Sequence, residues 1–307
     1  MTPNQSPSTA AGYRLRLLGC APVTAITGLC SLMSDLVYHL PLTQLATYRG
    51  HRVIVRAAQP HDLIAQLGPQ DLRNLAYVQF CALPDDIDGL LHWAEGLPIE
   101  LHLDAPARDF TRLYRCVKLL DTHPVRVSLP VVPGFEKAAK LALSLQFAVR
   151  LHVGQPPPSL IDPLIALLEA YLHQSTVAQP VEWFHSLLLG LCQGDTATLW
   201  ALNEEDPARL RHIDAQGRER WPGRLAAAEF DTEPAEFVAR WGDGLRRGGT
   251  ECARCPFFAP CRGYFKWPRR DYDCAGVKAV LAGIHGAADE LRRDLAAAPS
   301  VPRGTPL

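Results

Sequence analysis

The sequence lacks an excess of charge of either sign. Lysine and arginine together number 31 against 32 aspartates and glutamates, which gives a formal net charge of −1. A chain balanced in this way offers no broad basic surface for nucleic acid or for an anionic membrane. We therefore expect neither kind of partner, and partners have to be inferred from local sites.

Long uninterrupted apolar runs are also missing. The apolar stretch Leu160–Leu172 contains Asp162 and Glu169, so it falls short of the roughly 20 apolar residues that a transmembrane helix needs. The opening sequence MTPNQSPSTAAGY is polar and has no basic region leading into an apolar core, unlike a secretory signal. We expect a cytoplasmic protein without a membrane span.

Nine cysteines are present, and four of them fall within one short segment. The reducing cytosol argues against disulfides, so a metal explains them better. The segment reads ECARCPFFAPCRGYFKWPRRDYDC and has the spacing C-x2-C-x5-C-x12-C. Its cysteines are Cys252, Cys255, Cys261 and Cys274. Four thiolates can complete either one tetrahedral zinc site or one iron–sulfur cluster.

Two features of this segment favour iron and sulfide over zinc. Zinc knuckles usually pair two C-x2-C halves, whereas the second half here is C-x12-C. Aromatic side chains also surround the cysteines and would shield a cluster from water. They are Phe257, Phe258, Tyr264, Phe265 and Trp267. We predict one [4Fe–4S] cluster, with zinc as the alternative.

The N-terminal half alternates short strands with helical segments, which is typical of repeated β–α units on a parallel sheet. The predicted strands are Tyr13–Leu18, Arg52–Ala57, Tyr77–Ala82, Ile99–Asp104, Val125–Pro130 and Ala148–Val153. The predicted helices are Ser31–Gln44, Asp62–Asn74, Asp86–Glu95, Ala107–Thr122, Phe135–Leu145 and Ser159–His173. Six strands suggest an α/β fold with a partial (β/α)6 TIM-like barrel over residues 13–178, after a disordered stretch 1–12.

Beyond residue 179 the character of the sequence changes. A helix is predicted at Val181–Leu191, and then a small hairpin from Thr198–Leu202 and Arg211–Asp214. Helices Phe230–Arg247 and Val277–Leu295 flank the cysteine segment. We expect residues 179–296 to form a small cysteine-rich domain and residues 297–307 to be a disordered tail.

Polar side chains occupy one face of three predicted barrel strands, because they alternate with apolar ones along each strand. These residues are His102, Asp104, Arg126, Arg150 and His152. In a barrel covered by helices this face points inward, where unpaired charge is costly. We expect either a wet, ligand-sized pocket or a network in which these groups pair with one another. The two histidines and the aspartate could also bind a divalent metal.

The cysteine segment resembles the C-terminal SPASM domain of the radical S-adenosylmethionine family. The resemblance rests on C-x2-C-x5-C, on Gly263-Tyr264-Phe265-Lys266 after the third cysteine, and on one later cysteine. It implies an auxiliary [4Fe–4S] cluster, a preceding partial β/α barrel and a role in modifying ribosomally made peptides. The cluster ligands that it implies are Cys252, Cys255, Cys261 and Cys274.

Two departures from the family pattern limit what the resemblance implies. An active member carries C-x3-C-x2-C after its first strand, but here only Cys20 and Cys30 occur, with nine residues between them. The glycine-glycine-glutamate turn after the next strand is absent too, so cleavage of S-adenosylmethionine is not expected. Phe265 stands where a further cysteine is usual, and Cys192 has no second cysteine after it. Cys192 is either a ligand or a small buried side chain.

These observations predict a radical-SAM-like iron–sulfur protein without its own SAM-cleaving cluster. It would act as a partner or substrate-binding subunit in the maturation of a ribosomal peptide or natural product, in contact with the peptide or in a heterodimer with an active maturation enzyme. Two alternatives stay open. One is an enzyme that uses the polar barrel interior with another cofactor or metal, and the other is a zinc-stabilised binding module.

Overall fold

The computed structural model describes residues 36–194, 197–226, 228 and 230–297. The strands are β1 (Val37–Pro41), β2 (Arg52–Ala57), β3 (Leu75–Phe80), β4 (Ile99–His102), β5 (Val125–Pro130), β6 (Ala148–His152), β7 (Leu210–Ile213) and β8 (Glu219–Arg220). The α-helices are α1 (Pro60–Gln66), α2 (Pro106–Asp109), α3 (Phe135–Ser144), α4 (Ile161–His173), α5 (Glu182–Gln193), α6 (Leu199–Leu202), α7 (Phe237–Arg247), α8 (Phe258–Cys261) and α9 (Ala275–Ala297). Several 3-10 helices connect them, the longest at Phe110–Asp121.

The described strands form one sheet in the order β6-β5-β4-β3-β2-β1-β7-β8. Strands β1 to β6 are neighbours in sequence order and run parallel. β7 joins the other edge of β1, also in parallel, and β8 returns antiparallel to β7. The predicted α/β class with a mostly parallel sheet is confirmed.

The two faces of the sheet differ in polarity because side chains alternate along each strand. On β5, the buried residues Val125, Val127 and Leu129 alternate with Arg126 and Ser128. The apolar face packs against helices that include α1 and α3. The polar face therefore lies on the opposite side of the sheet from these helices, and it carries the ionic side chains.

The cysteine segment is hydrogen-bonded to the residues that directly follow β6. Gln155 Nε2 donates 2.8 Å hydrogen bonds to the carbonyl oxygens of Phe265 and Arg269. The Tyr272 hydroxyl donates to the Pro156 carbonyl at 2.7 Å. Helix α9, which follows the segment, packs against α4 and α5. These contacts fix the cysteine segment relative to the sheet.

Five predicted strands are present as β2 to β6, with bounds that differ by two residues or fewer. The sixth, Tyr13–Leu18, lies outside the described residues. The predicted helix Ser31–Gln44 is wrong over its described part, where Val37–Pro41 is a strand and Leu42–Tyr48 a 3-10 helix. Residues 37–41 form a strand rather than a helix because β1 pairs with β2 on one side and with β7 on the other. Valine and tyrosine also favour a pleated surface.

The helix predicted at Asp86–Glu95 is also wrong, because that segment forms successive turns. Gly89 lies in its middle and Ala94 has a positive φ of 48°, both unfavourable in a helix. Gly68 and Pro69 stop α1 early, so Asp62–Asn74 is not one helix.

Other helix predictions hold with altered bounds. Residues 107–122 divide into α2 and a 3-10 helix, and residues 230–247 contain the shorter α7. The hairpin around Gln216 and Gly217 is present as β7 and β8, but Thr198–Leu202 contributes α6 to the fold rather than a strand. The predicted disordered ends lie outside the described residues, except that Ala297 ends α9.

Candidate functional site

The four cysteines of the C-terminal segment line one cavity. They are Cys252, Cys255, Cys261 and Cys274, and the apolar side chains of Phe257, Phe258, Phe265, Val277 and Leu281 line it with them. Cys252 and Cys274 are buried, while the other two are half-buried. The convergence of four thiol groups on one apolar cavity is a donor set for a thiolate-bound metal or cluster.

Short turns of the chain aim these cysteines inward. Cys252 lies in a 3-10 helix whose N-cap, Thr250, accepts a hydrogen bond from the Cys252 backbone N–H at 3.3 Å. Cys261 ends α8, and the next two residues, Arg262 and Gly263, adopt left-handed conformations. This reversal directs the chain back over the cavity before Cys274 precedes α9.

Backbone N–H groups also surround one of the sulfurs. Burial raises the pKa of the Cys261 thiol to about 11, although hydrogen bonds from the backbone of Phe265, Gly263 and Tyr264 act in the opposite direction. Burial likewise raises the pKa of Cys274 to about 12. A bound metal would supply the positive charge that these buried sulfurs need to become thiolates.

Two lysines bring positive charge to the same cavity. Lys266 and Lys278 both line it, and both ammonium groups contact the carboxylate of Glu251. Lys266 is 4% exposed and also donates to the Tyr272 carbonyl. A buried lysine beside four sulfurs offsets the negative charge that thiolate ligands would carry.

The polar face of the sheet carries a buried ionic network. Arg126 lies 2.5 Å from Glu100, 3.1 Å from Glu182 and 3.0 Å from Glu204. Arg150 lies 2.6 Å from Glu204 and 3.4 Å from Glu100. The predicted pocket arginines are thus paired with three glutamates that lie outside the predicted set.

The carboxyl groups of the network respond to burial and to the arginines. Burial opposes ionisation of Glu100, but Arg126 and Arg150 outweigh it and hold the pKa of that carboxyl below its usual value. The same balance lowers the pKa of Glu204 to about 2. For Glu182, burial outweighs Arg126 and raises the pKa. The network holds more carboxyl groups than guanidinium groups.

The predicted pocket histidines lie at the carboxyl ends of their strands. His102 Nε2 lies 2.9 Å from the carboxylate of Asp104, and His102 Nδ1 lies 3.0 Å from Ser128 Oγ. The rings of His102 and His152 are 5.6 Å apart between centroids. Burial and then Arg150 lower the pKa of His152 to about 3, so this imidazole is neutral at pH 7.

One set of metal-ligand atoms is close together on this face. Within the described residues, Glu100, His102 and His152 each place a ligand atom within 4.8 Å of the others. Asp104 was expected among these ligands, but it is outside the set and instead contacts His102. Its side chain is 76% exposed. Glu100 takes the place that the sequence pattern assigned to Asp104.

A second polar group on the same face escaped prediction. His39 Nδ1 lies 3.0 Å from His212 Nε2, and Arg56 Nη2 donates to the Ile213 carbonyl at 2.7 Å. Burial and the nearby Arg56 lower the pKa of His212 to about 4. His39 was hidden because its strand, β1, carries the pattern that we assigned to a helix. Glu204, in a turn after α6, carries no sequence signal of its role.

The remaining described cysteines lie away from the four-cysteine cavity. Cys192, in α5, has its sulfur 3.8 Å from the Ala288 carbonyl of α9. Cys116 is buried in the hydrophobic core, and Cys81 is exposed. Cys20 and Cys30 lie outside the described residues.

No described helix is long and apolar enough to cross a membrane. Comparisons of the chain with protein-family models, curated proteins and solved structures give no match.

Proposed function

We propose that this chain is a radical-SAM-like iron–sulfur protein that lacks its own SAM-cleaving cluster. It acts as a partner or substrate-binding subunit in the maturation of a ribosomal peptide or natural product. The observation that carries this proposal is the convergence of Cys252, Cys255, Cys261 and Cys274 on one cavity. The proposed cofactor is one [4Fe–4S] cluster.

The spacing of the sulfurs supports a cluster over a single zinc ion. In the described ranges, Glu100, His102 and His152 are the only three side chains whose metal-ligand atoms all lie within 4.8 Å of one another. No three of the four cysteine sulfurs are therefore that close together. Zn–S bonds of about 2.3 Å would hold tetrahedral ligands about 3.8 Å apart. A cubane binds each thiolate at a different iron and spaces the sulfurs more widely. Zinc would require these sulfurs to move closer together.

The ligand count limits what such a cluster can do. Four cysteine ligands leave no iron open, so the cluster is suited to structural support or electron transfer rather than to binding S-adenosylmethionine. The sequence also has no C-x3-C-x2-C motif for a second cluster. A chain with this ligand set needs an active enzyme to supply the radical chemistry.

The sheet supports a partial (β/α)6 TIM-like barrel followed by a SPASM-like domain. Strands β1 to β6 are adjacent in sequence order and parallel, as in a β/α barrel. The order reverses at β1, where β7 joins the other edge, whereas a doubly wound sheet reverses near its middle. The polar face would then be the barrel interior. Its arginines are paired with carboxylates, so it is a preformed scaffold rather than an open anion pocket.

The proposed role is tested with the reduced, cluster-loaded protein. With S-adenosylmethionine alone, we expect no 5′-deoxyadenosine and no change in the EPR spectrum of the reduced cluster. With a radical maturation enzyme and its peptide, we expect product only when this protein is added, and none with Cys255→Ala. Cleavage of S-adenosylmethionine by this chain alone would contradict the proposal, as would equal product formation without it.

A further inference from the structure

Parallel pairing brings two imidazoles and a carboxylate together on the polar face of the sheet. Glu100 and His102 are two residues apart on β4, and His152 ends β6. β5 lies between them and places Ser128 opposite His102, Pro130 opposite His152 and Arg126 opposite Glu100. Small side chains on β5 therefore leave the space across which His102 and His152 approach each other.

The ligand lone pairs without a fixed donor belong to the two histidines, whereas both oxygens of Glu100 accept hydrogen bonds, from Gln79 and Arg126. Asp104 accepts only, so the hydrogen of a neutral His102 lies on Nε2, and Nδ1 carries a lone pair. Ser128 has one hydroxyl hydrogen but faces both His102 Nδ1 and Glu100 Oε1, at 3.0 and 2.9 Å. It can satisfy only one of them. His152 Nε2 is buried and has no hydrogen-bond partner in the described part of the chain.

The surrounding charge favours a cation. The carboxyl groups of Glu100, Glu182 and Glu204 face two guanidinium groups, Arg126 and Arg150. Asp104 contacts His102, but its side chain is 76% exposed and its charge is solvated. The three buried carboxyl groups exceed the two guanidinium groups by one, and an ion at the three ligands would add positive charge where this excess lies.

We propose that Glu100, His102 and His152 bind one divalent transition-metal ion, with water completing its coordination. Two imidazoles and a carboxylate are the donor set that suits such ions, and three protein ligands leave positions open. Asp104 is a positioning residue that fixes the His102 ring through Nε2, as outer carboxylates do at metal-bound histidines. Binding through Glu100 requires one of its present contacts to lengthen, either that from Gln79 to Oε1 or the 3.4 Å contact from Arg150 to Oε2.

This site is independent of the proposed cluster, because its ligands come from the sheet rather than from the cysteine segment. Loss of metal binding here would leave the iron and sulfide content of the protein unchanged. Loss of the cluster would likewise leave these three ligands in place. The failure of one assignment is therefore distinguishable from the failure of the other.

Co²⁺ is the probe, added without oxygen to the cluster-loaded protein and followed by calorimetry and low-temperature EPR. We expect one ion per chain, bound at least about tenfold more weakly by His152→Ala and about 10- to 100-fold more weakly by Asp104→Asn. His61→Ala is the matched control, because His61 is 79% exposed and lies in α1. Cys255→Ala should retain the Co²⁺ site.

Circular dichroism checks that each variant is folded, and His152→Gln serves if His152→Ala does not fold. Asp104 is largely exposed, so Asp104→Asn tests the site without disturbing the core. The proposal is overturned if the wild type binds no Co²⁺, if both histidine and aspartate variants bind it as tightly as the wild type, or if only Cys255→Ala loses it.

Discussion

Arg126 Nη2 lies 3.0 Å from the carboxylate of Glu204 and joins β5 to the turn after α6. The two residues are 78 positions apart in the sequence. Because the same guanidinium also contacts Glu100 on β4 and Glu182 on α5, it connects the sheet to the elements that lie over its polar face. This one side chain is therefore central to the fold as well as to the charge of the face.

Replacing Arg126 by methionine should lower the free energy of unfolding by about 3–5 kcal/mol, because Glu100 would remain buried without its closest cation. Arg218→Met is the matched control. Arg218 pairs with Asp214 on the surface, with 63% of its side chain exposed, and its loss should have little effect on stability. Urea unfolding measures both, and equal costs would contradict the assigned role of Arg126.

Acid should remove the stabilisation that Glu204 provides. Its folded pKa is lowered from 4.5 to about 2, because the arginines outweigh burial. The stabilisation is complete above the unfolded pKa and is lost as pH falls from about 4.5 towards 2. The stability difference between wild type and Glu204→Gln should shrink over this range in urea titrations. Acid damage to a cluster would affect both proteins alike, so it cancels in the stability difference between them. A stability difference that stays constant over this pH range would contradict the prediction.

Gly263→Ala should destabilise the cysteine segment. Gly263 has φ of +74°, and an added Cβ would overlap Leu245 and approach Trp241 Nε1 to 3.0 Å. Left-handed backbone alone costs about 1–2 kcal/mol in a residue with a Cβ, so we expect a lower melting temperature and less iron per chain. Gly286→Ala in α9 meets no atom within 4 Å and should be neutral or stabilising. Similar melting temperatures and iron contents in the two variants would refute this account.

Lys266→Met should make the reduction potential of the cluster more negative. Lys266 is buried beside the four sulfurs, and its positive charge favours the reduced state, which carries one more negative charge. Lys278→Met should shift the potential in the same direction but less, because 30% of that side chain is exposed. Lys140→Met, in a surface pair on α3, should leave it unchanged. An EPR-monitored redox titration measures the reduction potential of each variant. A more positive potential for Lys266→Met would contradict the prediction.

Local patterns made part of this structure predictable. The strands β2 to β6 follow from short apolar runs, because period-two alternation is a property of the strand itself. The four cysteines are close in sequence, so their convergence on one cavity required little knowledge of the fold. Alternation also placed Arg126, Arg150, His102 and His152 on one face correctly.

What the sequence did not reveal depends on long-range pairing. β1 is a strand because β2 and β7 bind its two edges, and β7 lies far along the chain. Glu204 reaches the network from a turn, where no periodicity marks a residue as buried. The sequence also could not show that Glu100, rather than Asp104, joins the two histidines. The alternation places both carboxylates on the same face and does not distinguish between them.

The most direct test is the metal content of the protein purified without oxygen. Iron, acid-labile sulfide and zinc are measured per chain, together with the visible spectrum, in wild type, Cys255→Ala and the control Cys81→Ala, which changes an exposed cysteine outside the cavity. We predict about four irons and four sulfides per chain, lost in Cys255→Ala and kept in Cys81→Ala. One zinc per chain with no sulfide would contradict the iron–sulfur assignment and favour a zinc-stabilised binding module.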